Sequence, residues 1–145
     1  MFAQLLTILI GVLGGIGLGF QPPIANGIAR RTGSTASSLV VHVSGALFSG
    51  ALLLLQGGEN IKDLDTVPWW MFAVGLPGVV LYLTIAYTIP RIGVTAALTL
   101  IIVGQLLMGM IIDHFGLFEV VVRSVDANRL LAAALLLLGA YLMAR

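Results

Sequence analysis

The 145-residue sequence has no cysteine, which excludes a disulfide framework and a thiolate metal site and leaves the redox compartment unmarked. Charge is nearly as scarce. Asp, Glu, Lys and Arg make up 9% of the chain, where a soluble domain of this size carries about a quarter. Such a chain cannot cover itself with water-facing groups. A formal net charge of +1 is too small for a nucleic-acid surface, so no nucleic-acid partner is expected. No basic stretch precedes Phe2 and no A-x-A site comes before Gln21, so the first apolar run does not read as a cleaved signal peptide. The glycines at 14 and 17 follow no strand and precede no Gly-Lys-Ser, so they are not a phosphate loop. With no nucleophile–base–acid set and no metal-ligand spacing, the sequence gives no enzyme signature and calls for no cofactor or metal.

Hydrophobicity is what remains. Apolar residues form 59% of the chain, the mean hydropathy is +1.11, and eighteen glycines suit the close packing of membrane helices. Segments of about 20 apolar residues are the unit that crosses a bilayer. Five are expected, at about 2–29, 37–56, 68–89, 94–112 and 130–143, making an all-α integral membrane protein with one transmembrane domain over 1–145. The punctuation between them is local. Thr32-Gly33-Ser34-Thr35 gives a turn and an N-cap candidate, and Gly57-Gly58 closes the second span. Pro68 suits a first helical turn, with Trp69 and Trp70 at headgroup depth. Pro77-Gly78 predicts a kink, Pro90 to Gly93 a tight turn, and Asp126 a cap for the last span.

The stretch from Gly11 to Arg31 is the densest in signals. Gly11, Gly15 and Gly19 recur every fourth residue, a bare stripe that lets another backbone approach closely. Pro22 and Pro23 then remove the donors that the carbonyls of Leu18 and Gly19 would use in a helix. Gln21 and Asn26 flank the prolines. Two readings follow: a helix broken within the membrane, with Gln21, Asn26 and the two carbonyls lining a wet solute site, or a span that ends near Phe20 with a surface loop after it.

No Asp, Glu, Lys or Arg falls in the middle of a span, so the usual marker of ion coupling is missing. His42 is the one titratable side chain expected at depth, either a proton-coupling group or a neutral residue bonded to Ser44 or to a backbone carbonyl. Gln105 is either an amide that reaches a solute or glue between helices. Asp113-His114 reads as a solvated helix end. Five spans put the termini on opposite sides, with Lys62, Arg123 and Arg129 facing one side and Arg30, Arg31, Arg91 and Arg145 the other. This three-to-four split gives the positive-inside rule almost nothing to act on.

Three stretches together carry a family resemblance: GFQPPIANGIARRTGS, the Pro68-Trp69-Trp70 helix start, and IPRIGVTAALTLIIVGQLLMGMIIDHFGLF at Ile89 to Phe118. They resemble the YdcZ-type family of short proteins in the drug/metabolite transporter (DMT) superfamily. The resemblance implies a five-helix half-transporter in the bacterial inner membrane that works as an inverted, antiparallel pair. The small multidrug exporters are cousins that exchange protons for cationic drugs through a first-helix glutamate and a fourth-helix aromatic cage. At the corresponding places this chain has Gly15, and Ala96, Ala97 and Thr99, so a lipophilic cation has no such groups to act on.

The expected function is therefore transport of a small polar or amphipathic solute by alternating access as an antiparallel homodimer in the lipid bilayer. Gln21, Asn26, Gln105 and the carbonyls of Leu18 and Gly19 would bind the solute, and His42 would be the coupling group. Gly11, Gly15 and Gly19 would pack helices, joined by Ala133 and Ala140 on the last helix. The alternatives are a non-transporting scaffold or assembly partner, and a proton-coupled exporter of the small multidrug type.

Overall fold

A chain in hydrocarbon must satisfy its own amides and carbonyls, and a helix does so within one segment. The computed structural model describes residues 2–145, which form helices and short connections with no strand among them. The helix α1 spans Phe2–Thr32 and α2 spans Ser34–Leu55. Two 3-10 segments, Ile61–Thr66 and Trp69–Val74, lead into α3 at Gly75–Phe115, and α4 covers Ala127–Ala144. Gly93 breaks α3 with non-helical angles, φ 79° and ψ 168°, so five helical segments follow one another. Those within Gln4–Thr32, Ser34–Leu55 and Trp69–Phe115 are long and apolar enough to cross a membrane. The last has 18 residues, about 27 Å of helix and close to the hydrocarbon thickness.

The expected punctuation is present at most boundaries. Gly57 and Gly58, with φ 76° and 84°, end α2 by bonding back to the Leu54 and Leu53 carbonyls at 3.1 and 2.8 Å. Asp126 caps α4, its Oδ1 accepting from the Arg129 amide at 2.8 Å. Two expectations fail. No side chain caps α2, because Gly33 itself is the N-cap and its amide bonds to Ala29. Pro77-Gly78 makes no kink, since Pro77 is the third residue of a helix starting at Gly75, where an amide has no helical acceptor to lose.

One corner occurs twice. Gly33 (φ 94°, ψ 156°) and Gly93 (φ 79°, ψ 168°) lie sixty residues apart with nearly the same backbone. Arg31 and Arg91 precede them by two, and Thr35-Ala36 and Thr95-Ala96 follow at the same spacing. Burial repeats too: Pro22, Ala25 and Ser37 around the first corner match Tyr82, Ile85 and Ala97 around the second. Each corner needs a residue without Cβ, and each brings small side chains together just beyond it.

The chain forms two compact units, Met1–Tyr87 and Thr88–Arg145. Half of the buried residues are small: Ala25, Ser37 and Ser38 in the first unit, and Ala96, Ala97 and Ala140 in the second. Large side chains point outward, with Leu13 65% and Leu54 81% exposed. In water this surface would aggregate; against lipid tails it is the surface that a membrane helix needs. Ala140 is only 1% exposed and Ala133 is half-buried, so Ala140 packs inside its own chain rather than on a pairing surface.

In the second unit, Asp113 is more than a solvated end. Its carboxylate accepts from Arg129 Nη1 at 3.2 Å, and its carbonyl from the Arg123 amide at 2.8 Å. His114 Nδ1 accepts from the Val125 amide at 3.3 Å. Together these bonds tie the 116–126 segment to the end of α3.

Candidate functional site

Helix α1 runs unbroken through Pro22 and Pro23, so neither the broken helix nor the surface loop describes it. The carbonyls of Leu18 and Gly19 still lack the donors that prolines cannot supply, but in a continuous helix they line no gap in the chain. At 100° per residue, Gly11, Gly15, Gly19 and Pro22 fall within about 60° of Asn26, so glycine stripe and asparagine share one face. Gln21 lies about 140° round from Asn26 and is exposed, and the two amides do not converge.

That face has a closed end and an open end. At the closed end Ser37 Oγ donates to the Ala25 carbonyl at 2.6 Å, joining α2 to α1, and Ser37 is 2% exposed. Asn26 is 8% exposed, and its buried Oδ1 has no hydrogen-bond partner. Leaving a buried amide oxygen unpaired costs about 1–3 kcal/mol, so Asn26 is held there at a cost to stability. Along the open end, a Cβ added at Gly11, Gly15 or Gly19 would meet nothing within 4 Å, so no helix of its own unit closes on the stripe.

His42 lies eight residues into α2, about 12 Å along the helix from its start. Its Nδ1 is 2.7 Å from the Ser38 carbonyl and 3.4 Å from Ser38 Oγ. Its ring meets Tyr82 of α3 edge-on, with centroids 5.6 Å apart at 81°. Ser44 is not its partner, since that hydroxyl donates to the Val41 carbonyl at 3.0 Å. The first unit thus holds Asn26 beside the Ser37–Ala25 bond, and His42 against Ser38 and Tyr82. Sequence reading missed Ser37, Ser38 and Tyr82, although two serines one turn before a histidine in an apolar helix were a usable signal. Gln105 is exposed in the second unit.

No ion pair involves these residues among those described, so they present hydrogen-bonding groups and no counter-charge for an anion. A curated relative, "Inner membrane protein YdcZ" of Escherichia coli (strain K12), is 26% identical over 145 residues, covering 98% of this chain and 97% of that protein. No solved structure matches the chain. The family described as "Putative inner membrane exporter, YdcZ" matches residues 6–142, nearly the whole length, and with its apolar membrane-length helices the chain belongs to the YdcZ family of inner-membrane proteins.

Proposed function

We propose that this protein is a transporter that carries a small polar or amphipathic solute across the inner membrane by alternating access, as one transmembrane domain paired with a second, oppositely inserted copy. The unpaired, buried Asn26 Oδ1 carries this reading. A polar acceptor kept dry and unbonded inside a membrane helix is costly, and a site for a passing solute gives it a use. The open glycine face that continues from Asn26 supplies room beside it. The description of the family as an exporter supports the direction of transport, outward. Gln21 and the carbonyls of Leu18 and Gly19 in the first unit, and Gln105 in the second, are the further solute-binding candidates, each taken within its own unit. The near-even distribution of basic residues over five segments supports insertion in both orientations, and an antiparallel pair supplies the inverted repeat that alternating access uses. The scaffold reading has no observation of comparable weight behind it, because a packing role would have paired Asn26.

Flux in proteoliposomes tests the proposal. Liposomes containing the protein should accumulate or release radiolabelled small solutes faster than protein-free vesicles, and Asn26→Leu, which removes the amide but keeps the volume, should abolish the difference. Flux equal to that of empty vesicles across polyols, amines and amino acids, with folded protein, rejects transport.

A further inference from the structure

His42 is held so that one of its nitrogens stays free. A carbonyl only accepts, so the 2.7 Å contact from Nδ1 to the Ser38 carbonyl puts the proton of the neutral ring on Nδ1. Nε2 then carries a bare lone pair. That nitrogen lies against Gly78, where a Cβ would sit 2.7 Å from Nε2 and 3.5 Å from Cε1. Gly78 is in regular helix, where glycine is disfavoured relative to alanine. Its missing side chain is what admits the ring. Tyr82, one turn further on, meets the imidazole edge-on. Ser38, Gly78 and Tyr82 contact the imidazole, the Tyr82 phenol is the titratable group of the three, and no ion pair involves His42 among the described residues.

Two acceptors in one unit thus wait for donors, His42 Nε2 and Asn26 Oδ1. We infer that His42 Nε2 is a proton-exchange atom whose competing ligand is a solute bearing N–H or O–H donors, an inference that rests on the transport reading. The lone pair takes either a proton or a hydrogen bond from the solute. Imidazolium has no lone pair left, so proton and solute exclude each other at this atom. A proton arriving from water on one side expels the solute; its departure to water on the other side restores the acceptor. No bond within the solute forms or breaks. Gly78 is a positioning residue in this scheme, and Nδ1, anchored on Ser38, keeps the ring from turning over.

Nitrogen-15 NMR of histidine-labelled protein in lipid nanodiscs tests this without transport. His42 should show the Nδ1–H tautomer at high pH, while His114, whose Nδ1 accepts from Val125, shows the opposite tautomer and serves as the internal reference. The probes are ethanolamine and tetramethylammonium, equal in charge but only the first a hydrogen-bond donor. Ethanolamine at ten times its dissociation constant should lower the midpoint of His42 protonation by about one pH unit, by mass action, and tetramethylammonium should leave it in place. Gly78→Ala should move the His42 resonances and remove the ethanolamine effect. An Nε2–H tautomer, an imidazole that takes up no proton on acidification of the folded protein, or equal shifts with both probes overturns the inference. The wild-type measurement decides even if Gly78→Ala does not fold. Competition at His42 without any solute flux rejects transport alone, whereas flux that leaves the His42 midpoint unmoved rejects the exchange alone.

Discussion

Ser37 Oγ donates to the Ala25 carbonyl at 2.6 Å, and this bond fixes where α2 leaves α1. The acceptor sits one residue before Asn26, so the bond that joins the helices also holds the unpaired amide in place. Ser37→Ala should lower stability by about 0.5–1.5 kcal/mol, the range for one hydrogen bond within a protein. Ser37→Val should cost more, because the added methyl groups enter a site that is 2% exposed. Thermal melts in one detergent measure both, and a valine variant as stable as wild type would show that the crossing is loose.

The two glycine corners predict a matched pair of losses. At φ 94° with ψ 156° and φ 79° with ψ 168°, a side chain is strained at either place. Gly33→Ala and Gly93→Ala should each destabilise by about 1–3 kcal/mol. Gly104→Ala, in regular helix with open space where the Cβ would go, is the control and should be neutral or slightly stabilising. Equal melting temperatures for all three variants would remove the corner from the account.

The Asp113–Arg129 ion pair is about one-third exposed on both partners, so its value is under about 1 kcal/mol and falls with salt. Asp113→Asn should lower the melting temperature slightly in low salt and not at all in high salt. It should also speed hydrogen exchange at Arg123, whose amide bonds to the Asp113 carbonyl beside it. A salt-independent deficit would assign the effect to packing instead.

The glycine stripe meets no neighbour in its own unit, and the proposed pairing would set a second copy against it. Gly15→Leu should therefore reduce dimer content in light scattering while leaving the monomer's melt almost unchanged. A folded variant that pairs as well as wild type would leave the stripe facing lipid.

Orientation is tested with C-terminal reporter fusions, one active only in the cytoplasm and one only outside. Both should be active, and two lysines added between Glu59 and Asp65 should silence one of them. A single active reporter on the unmodified chain would mean one fixed orientation and a different partner.

The all-helical class and the five segments were legible in the sequence, because lipid forces every backbone group into local bonds and hydropathy alone then marks the segments. So were the ends made by local chemistry, Gly57-Gly58 and Asp126, where one or two residues decide the geometry. Pro22-Pro23 showed the limit of that reading. Their missing donors predict a break, but the helix runs on, because two lost hydrogen bonds do not overcome those on either side together with the packing of Pro22, Ala25 and Asn26. The site was half legible. Asn26 and His42 stand out as polar residues in apolar helices, but their surroundings do not. That Gln21 points away from Asn26 follows from helix phase once the helix is known to continue. That Ser38 fixes the tautomer of His42 is local, a bond one turn back along α2. That Gly78 makes room for Nε2 required tertiary structure: a missing Cβ acts only when α2 and α3 are brought together, and hydropathy carries no record of which faces meet.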